Sequence, residues 1–333
     1  MDSTTTDSPR VSKGALFRFI RYAPHAGQLL VHRSKAPRRV LACGVRWGKT
    51  TCGVGEAVAA LLQPREHSLG WVVAPSYDLA DKTFRGVADS FQKHFSTRIQ
   101  SLDLRGERLI VHNLGGGVSE LRAKSADQPV SLLGEGLDWM IIDEAARLKA
   151  DVWESYLSQR LVDRKGWVLF LSTPAGPGWF HQLYRRGIRN RDPNTESWSS
   201  PSWANPHIDK DLVEAERASL PTSVFAEQYG GEFQGVEPEP CEVCSPRSPK
   251  ATQVIVIDEG DDVRRCPACN YPVDAEGRSL VPEGAKFIKI ISYHIDDDDD
   301  STPDPLSALG APKERPYMRR RIWMLNKRRS RSD

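Results

Sequence analysis

The segment VLACGVRWGKTT, residues 40–51, has the composition of a phosphate-binding turn. A short apolar run leads into a turn that ends in GKT, residues 48–50. Glycine lets backbone N–H groups approach phosphate oxygens, lysine supplies a positive charge, and a threonine hydroxyl can bind Mg²⁺. The segment departs from the pattern G-x-x-x-x-G-K-[ST], because Cys43 holds the first glycine position and Gly44 follows it. An ordinary strand-to-helix turn is the alternative interpretation.

An acidic pair follows a second apolar run. Residues 139–142, WMII, have the length of a buried strand and end in Asp143 and Glu144. In a nucleotide hydrolase the first carboxylate can hold Mg²⁺ while the second polarises the attacking water. The alternative is that Asp143 only caps the next helix. The phosphate-binding segment upstream favours the chemical interpretation.

Hydroxyl groups follow a third apolar run. Residues 167–171 end in Ser172, Thr173 and Pro174. Polar groups at the carboxyl edge of a parallel strand can lie beside the terminal phosphate and transmit its loss. A strand closed by a turn-forming proline is the simpler alternative.

The elements that position these residues indicate an α/β domain. An amphipathic stretch, Leu16–Tyr22, precedes the phosphate-binding segment, and residues 71–75 form another buried strand. Between Leu102 and Ala123 two alternating runs separated by three glycines predict a β-hairpin. Strands and helices alternate up to Gly187, which predicts a largely parallel sheet. Residues 198–233 look helical and loop-like, with a turn at Asn205-Pro206 and a helix over residues 209–219.

Composition excludes some classes of protein. The chain has 333 residues and 39% hydrophobic residues, enough for one large or two modest domains with a packed core. It contains no run long enough to cross a bilayer, and its polar N-terminus lacks a secretory signal. We therefore expect a cytoplasmic protein that is not secreted.

The composition changes at residues 236–240, VEPEP, where we place a domain boundary. Two C-x-x-C pairs follow, separated by 21 residues: Cys241 with Cys244, and Cys266 with Cys269. Such pairs predict a closed tetrahedral Cys₄ zinc site of a zinc ribbon, which leaves no open position for catalysis. Disulfides are the alternative, and a cytoplasmic setting disfavours them.

Charge is segregated near the C-terminus. Residues 296–300 are five aspartates, whereas residues 301–333 contain nine Lys/Arg against three acids. This pattern predicts a solvated, disordered tail, although it could also contact nucleic acid or an acidic partner. The predicted organisation is thus residues 1–235 as an ATPase-type domain, 236–290 as a zinc ribbon, and 291–333 as the tail.

Taken together, several motifs in order resemble the ATPase domain of the large terminase subunit of tailed bacteriophages. The resemblance runs from about Tyr22 to Phe233. It is carried by YAPHAGQ, CGVRWGKT, WVVAPSYDLA, KSADQPVSLLGEGLDWMIIDEAA, GWVLFLSTPAGPGWFHQLYRRG, NPHI and FAEQYGGEF. The Cys-Gly opening of the phosphate loop is familiar in that family. The resemblance implies a P-loop ATPase of the ASCE type with a mainly parallel central sheet.

The resemblance also implies roles for individual residues. Adenine is expected to contact Gln28, and the rest of ATP to contact Gly44, Arg46, Gly48, Lys49, Thr50 and Thr51. Mg²⁺ is expected to be held by Thr50 and Asp143, and the attacking water to be activated by Glu144. Coupling of hydrolysis with movement is assigned to Ser172, Thr173 and Pro174. Arg46 is also the first candidate for stabilising transition-state charge, a contribution of roughly 10³–10⁵ in rate in other systems. An arginine of a neighbouring subunit and, more weakly, Arg160 are alternatives.

The implied function is an ATP-driven motor that packs double-stranded DNA into a procapsid in the host cytoplasm. The expected partners are DNA, the portal protein, the small terminase subunit and further copies of the chain in a ring. Because the residues after 235 have the pattern of a zinc ribbon and a tail, we expect no intrinsic nuclease; either a separate nuclease subunit supplies cleavage or the nuclease has been lost. The alternatives are a helicase or remodelling ATPase of superfamily 2, and an inactive, zinc-stabilised adaptor derived from a terminase.

Overall fold

The computed structural model of the chain describes residues 12–188 and 192–236, together with the backbone of four short strands further along. The α-helices of the main part are α1 (Lys13–Phe19), α2 (Ala26–Arg33), α3 (Lys49–Leu62), α4 (Tyr77–His94), α5 (Trp179–Ile188), α6 (Lys210–Ser219) and α7 (Thr222–Gln228). Its strands are β1 (Arg38–Cys43), β2 (His67–Ala74), β3 (Ile99–Asp103), β4 (Arg108–His112), β5 (Val118–Ser125), β6 (Trp139–Asp143), β7 (Trp167–Ser172) and β8 (Thr195–Ser200). Two short antiparallel pairs lie beyond: Arg264–Arg265 with Pro272–Val273, and Phe287–Lys289 with Trp323–Leu325.

One sheet of eight strands organises the molecule, in the order β3-β4-β5-β2-β6-β7-β1-β8. The strands from β5 to β8 in this order are parallel to their neighbours, whereas β4 and β3 continue the sheet as antiparallel strands. The α/β class, the mainly parallel sheet and the β4–β5 hairpin are therefore confirmed. In the register of the central strands, Asp143 pairs with Leu171 and Ser172 pairs with Ala42. The polar carboxyl ends of β6, β7 and β1 consequently lie side by side.

Two hydrophobic layers cover the faces of the sheet. Successive residues of a strand point to opposite faces, so Leu41 packs beneath α3 and α4 while its neighbour Val40 packs on the other side. The same alternation places Ile141 in the first layer and Ile142 in the second. Burial on both faces explains why β1, β6 and β7 are continuous apolar runs. These central strands form a rigid base for the polar residues at their ends.

A buried ionic cluster joins α1, α2, β1 and α3 around Glu56, whose side chain is 1% exposed. Lys13 Nζ and His32 Nδ1 each lie 2.7 Å from Glu56 Oε1, and the Arg39 guanidinium donates to Oε2. Burial opposes the charge of Glu56, but Arg39 and Lys13 outweigh it and hold the pKa of the carboxyl well below its usual range. Burial also lowers the pKa of His32, although its bond to Glu56 acts in the opposite direction. Its Nε2 lies 3.1 Å from the hydroxyl of Tyr22.

Strand β8 corrects the sequence-based interpretation of its region. Residues 198–233 were expected to be helical and loop-like, yet Thr195–Ser200 forms an edge strand parallel to β1. Its inward positions include Thr195 and Ser197, so the strand has no apolar alternation to reveal it. The predicted helix over residues 209–219 is confirmed as α6, with Asp209 as its N-cap.

Some predictions concern the C-terminal part of the chain. The zinc-ligand candidates Cys241, Cys244, Cys266 and Cys269 and the aspartate run 296–300 lie outside the described residues. Strand Trp323–Leu325 lies within the segment that was interpreted as a tail. Among the helices that the structure describes, none is both long and apolar enough to cross a membrane.

Candidate nucleotide-binding site

The turn between β1 and α3 needs its glycines for steric reasons. Gly48 has φ 98°, a conformation that disfavours any side chain, and an added Cβ would lie 2.7 Å from Gln28 Nε2. A Cβ on Gly44 would lie 2.4 Å from the carbonyl oxygen of Tyr229. Close packing of other segments against the turn therefore explains both positions.

Each carbonyl group from Cys43 to Gly48 accepts a hydrogen bond from a side chain. Lys49 Nζ donates to the carbonyls of Cys43 and Gly44, both at 2.8 Å. The next four carbonyls have the following donors: Ser202 for Val45, Asn205 for Arg46 (2.8 Å), His25 for Trp47 (3.0 Å) and Gln28 for Gly48 (2.9 Å). The first N–H groups of α3 have no acceptor within the helix. In the turn itself the N–H groups of Gly44, Val45 and Trp47 donate to backbone carbonyls, so it is the start of α3 that can offer N–H groups to an anion.

Lys49 connects the turn to strand β7. Besides its two carbonyl acceptors, its ammonium group donates to Thr173 Oγ1 at 3.1 Å. The side chain is buried, and burial lowers the pKa of Lys49, while the charges of Glu144 and Asp143 act in the opposite direction. The cation is therefore fixed in place beside the ends of β1 and β7.

Asp143 lies next to the start of α3. Its Oδ2 accepts from Thr50 Oγ1 at 3.1 Å and from Thr83 Oγ1 at 2.8 Å, and its Oδ1 accepts from the N–H of Glu144 at 3.0 Å. No lysine or arginine in the described part of the chain forms an ion pair with this buried carboxylate. Because the carboxylate bonds only hydroxyl and amide groups, its charge can be balanced by a cation from outside.

The oxygen atoms of Thr50 and Asp143 fit Mg²⁺. Magnesium prefers oxygen ligands and is usually held by one or two carboxylates together with substrate phosphates. Within residues 12–188 and 192–236, no group of three His, Cys, Asp or Glu side chains forms a metal cage of protein ligands alone. The local donor set therefore matches a metal that arrives with a nucleotide.

Two of the predicted catalytic residues have left-handed backbone conformations. Glu144 has φ 52° and Arg46 has φ 60°. Such conformations are uncommon outside glycine, cost about 1–3 kcal/mol each and cluster at active sites. The Glu144 side chain is 30% exposed and lies 3.6 Å from Arg147, while Arg46 is exposed at the turn. Both side chains can therefore reach solvent at the site.

The segment after β7 contacts both sides of the site. Ser172 Oγ accepts from the N–H of Ala146 at 3.2 Å, and Thr173 accepts from Lys49. Pro174 follows directly. The segment predicted to couple hydrolysis with movement thus links the phosphate turn to the segment after the acidic pair.

The remaining predicted residues have different surroundings. Gln28 uses both ends of its amide within the protein, because its Oε1 accepts from the N–H of His25 at 3.0 Å. Thr51 lies exposed in the first turn of α3. Arg160 donates to the carbonyl of Gly134 and accepts from the N–H of Leu137, before β6 begins. Arg160 therefore lies near the amino end of β6, whereas Lys49 lies at the carboxyl ends of the parallel strands.

Sequence reasoning missed four residues of this site. Thr83 binds Asp143 from the middle of α4, and His25, Ser202 and Asn205 bind carbonyls of the turn. The Asn205-Pro206 turn was recognised, but nothing in its spacing predicted contact with a residue 159 positions away. Only the tertiary fold brings these donors to the turn.

The fold is that of an α/β domain with a mainly parallel sheet, and it brings a lysine-containing turn after β1 close to an acidic pair at the end of a central strand. The chain belongs to the family described as "Terminase large subunit, T4likevirus-type, N-terminal", whose sequence profile matches residues 40–238. It is 35% identical over 243 residues to a terminase large subunit of Thermus phage G20c, covering 65% of this chain and 50% of that protein.

Solved structures agree with this assignment. The Thermus phage P74-26 large terminase ATPase domain matches with a TM-score of 0.62 and 33% identity, covering 68% of this chain and 99% of that domain. The large terminase of another thermophilic bacteriophage, solved with ADP, matches with a TM-score of 0.53 and 15% identity, covering 63% of this chain and 54% of that one. At that identity the second match shows the fold alone. The chain spans about half the length of the curated relatives it matches.

Proposed function

We propose that this chain hydrolyses ATP as the motor subunit of a phage terminase and drives double-stranded DNA into a procapsid. The observation that carries the proposal is the meeting of Lys49, Thr50 and Asp143 at one edge of the sheet. Its likeness to a terminase ATPase domain, at 33% identity, supports it.

The proposed binding mode follows from charge and hydrogen bonding. Lys49 and the N–H groups at the start of α3 bind the β- and γ-phosphates, with Gly44, Gly48 and Thr51 shaping the turn. Gln28 lies on the adenine side of the nucleotide, where its amide holds His25 and the carbonyl of Gly48 in place. Arg46, exposed at the turn, stabilises the charge that develops on the transferred phosphoryl group.

The proposed hydrolysis needs a metal and a base. Thr50 and Asp143 hold Mg²⁺, which when bound neutralises phosphate charge. Glu144 accepts the proton of the attacking water, because its side chain is partly exposed while its backbone is fixed by the bond to Asp143. Ser172, Thr173 and Pro174 then transmit the loss of the γ-phosphate, since Thr173 binds Lys49.

The wider function rests on the family and on the sequence. The proposed setting is the host cytoplasm, with the chain in a homo-oligomeric ring on the portal protein and the small terminase subunit delivering DNA. Residues 236–290 are proposed as a zinc ribbon and residues 291–333 as a charged tail. One Zn per chain, lost on replacing Cys266, is the expected result.

ATP turnover of the purified chain, with and without DNA and procapsids, tests the main proposal. We expect turnover that both additions stimulate, and its loss in Lys49→Ala. Lys82→Ala, an exposed lysine of α4, is the matched control and should keep wild-type turnover. Duplex unwinding without procapsid stimulation would instead indicate a helicase, and no hydrolysis under any condition would indicate an inactive adaptor.

A further inference from the structure

We propose that Asn205 is a positioning residue for ATP hydrolysis, which holds the backbone of Arg46 so that the arginine side chain faces the transferred phosphoryl group. The inference rests on the proposed function and extends it to a residue outside the phosphate turn. The observation behind it is that the side-chain amide of Asn205 binds the backbone carbonyl of Arg46, a residue with an uncommon backbone conformation.

Arg46 requires an external support for its conformation. With φ 60°, it occupies a region that non-glycine residues rarely adopt. Such a residue persists only where the surroundings determine its conformation. The carbonyl of Arg46 belongs to the peptide group that sets ψ of Arg46 and φ of Trp47, so a bond to this carbonyl limits how far the backbone at Arg46 can move.

Asn205 supplies this support from a fixed position. Its Nδ2 donates to the carbonyl of Arg46 at 2.8 Å, and its Oδ1 accepts from the N–H of His207 at 3.0 Å. The second bond closes a turn of the Asx type, so both ends of the amide are assigned by their partners. The donor is thereby aimed at one carbonyl.

The neighbouring turn residues are held differently. The N–H of Gly44 donates to Ser200 at 2.9 Å and the N–H of Val45 donates to Gln228 at 2.7 Å, both through backbone groups. These bonds survive any substitution of Asn205. Loss of the amide donor should therefore leave the peptide group between Arg46 and Trp47 with the long bond from the N–H of Trp47 to the carbonyl of Gly44, 3.4 Å, while the rest of the turn stays in place.

Asn205→Asp is the sharpest variant, because it keeps the oxygen that accepts from His207 and removes the donor to Arg46. We expect kcat for ATP to fall about tenfold while KM stays within about twofold, since positioning matters more in the transition state than in binding. Asn205→Ala should give a similar split and answers the same question if aspartate impairs folding. A raised KM with unchanged kcat would overturn the proposal.

Asn113→Asp is the matched control. Asn113 also donates to a backbone carbonyl, that of Arg65 at 2.7 Å, and accepts from backbone N–H groups in its own turn. It lies in the β4–β5 turn, so the variant should lose stability and keep kcat within about twofold. An equal loss of kcat in both variants would reduce the role of Asn205 to folding.

A double-mutant cycle with Arg46→Ala isolates the coupling. Alanine keeps the Cβ at position 46, and in that background Asn205→Asp should change kcat by less than about twofold. A further tenfold loss there would show that Asn205 acts independently of Arg46 and would overturn the inference. Full turnover in Arg46→Ala would overturn this inference and the proposed role of Arg46 but leave ATP hydrolysis by the chain standing, whereas a wild-type chain without turnover would overturn the proposed function as a whole.

Discussion

Two buried carboxylates near helix α3 have opposite surroundings. Glu56 is bound by Lys13, His32 and Arg39, so its charge is compensated inside the protein. Asp143 is bound by the hydroxyls of Thr50 and Thr83 and by a backbone N–H. Both side chains are less than a tenth exposed. Burial alone therefore does not distinguish a structural acid from a functional one.

The difference lies in what balances the charge. A buried ion must be paired, and the protein supplies the partners of Glu56 itself. The hydroxyl partners of Asp143 orient the carboxylate without neutralising it, which suits a divalent cation bound together with phosphate. Lys49 lies near enough to act on the charge of Asp143 but does not bond it. We therefore predict that the Glu56 cluster stabilises the domain and that Asp143, whose directly bonded partners are uncharged, serves the proposed site.

The largest expected effect comes from Glu144→Gln. It should reduce ATP turnover by roughly 10²–10⁴-fold, because a glutamine cannot accept the proton of the attacking water. ATP binding should remain, which equilibrium binding of a fluorescent ATP analogue would measure. Unaltered turnover would remove Glu144 from the role of base and weaken the functional half of the comparison.

Glu56→Gln should affect stability instead of chemistry. It leaves the buried charge of Arg39 and the partly exposed charge of Lys13 without their counterion, at a cost of about 3–5 kcal/mol in the free energy of unfolding. Denaturant titration measures this loss. Glu135→Gln, which breaks an exposed ion pair with Arg122, is the control and should cost less than about 1 kcal/mol. Equal losses of stability in the two variants would show that the Glu56 cluster stabilises the domain no more than an exposed ion pair does.

Thr83→Val should weaken the metal site without unfolding the domain. The variant keeps the shape of the side chain and removes the hydroxyl that orients Asp143. Partners that orient a metal ligand change metal affinity by about 10–100-fold, so we expect at least about tenfold more Mg²⁺ for half-maximal turnover. Thr97→Val, at an exposed threonine, should leave the Mg²⁺ dependence unchanged.

The pH dependence of stability sharpens the comparison at the Glu56 cluster. Because burial lowers the pKa of His32, the unfolded chain takes up a proton near pH 6.5 that the folded chain does not. Stability should therefore fall as the pH drops from about 7 to 5, by up to about 1.4 kcal/mol per pH unit for this group. The depressed pKa of Glu56 acts in the same direction at lower pH, since its stabilisation is present above its ordinary pKa and is lost below it. His32→Gln should reduce the slope measured between pH 7 and 5, and an unchanged slope would contradict this assignment.

The sequence predicted those features that are local to the chain. Strand β6 and its acidic end could be predicted because a strand buried on both faces is a continuous apolar run. The turn at Lys49 could be predicted because a phosphate-binding turn has a recognisable spacing of glycine, lysine and threonine. Strand β8 could not be predicted, because its buried positions include the polar residues Thr195 and Ser197 and the strand therefore lacks an apolar pattern.

Features that depend on tertiary contact could not be derived from the sequence. Thr83 and Asn205 acquire their roles only from partners 60 and 159 residues away. Glu56 was overlooked for a related reason: a single acid in a helix usually faces solvent, and only the fold encloses it with Arg39.

The most direct test of the comparison is the ATP turnover per folded molecule of Asp143→Asn and Glu56→Gln, measured beside their melting temperatures. The account predicts that Asp143→Asn loses more than about 100-fold in turnover without a lower melting temperature, whereas Glu56→Gln keeps its turnover and melts at a lower temperature. Turnover retained in Asp143→Asn, or lost in folded Glu56→Gln, would contradict it.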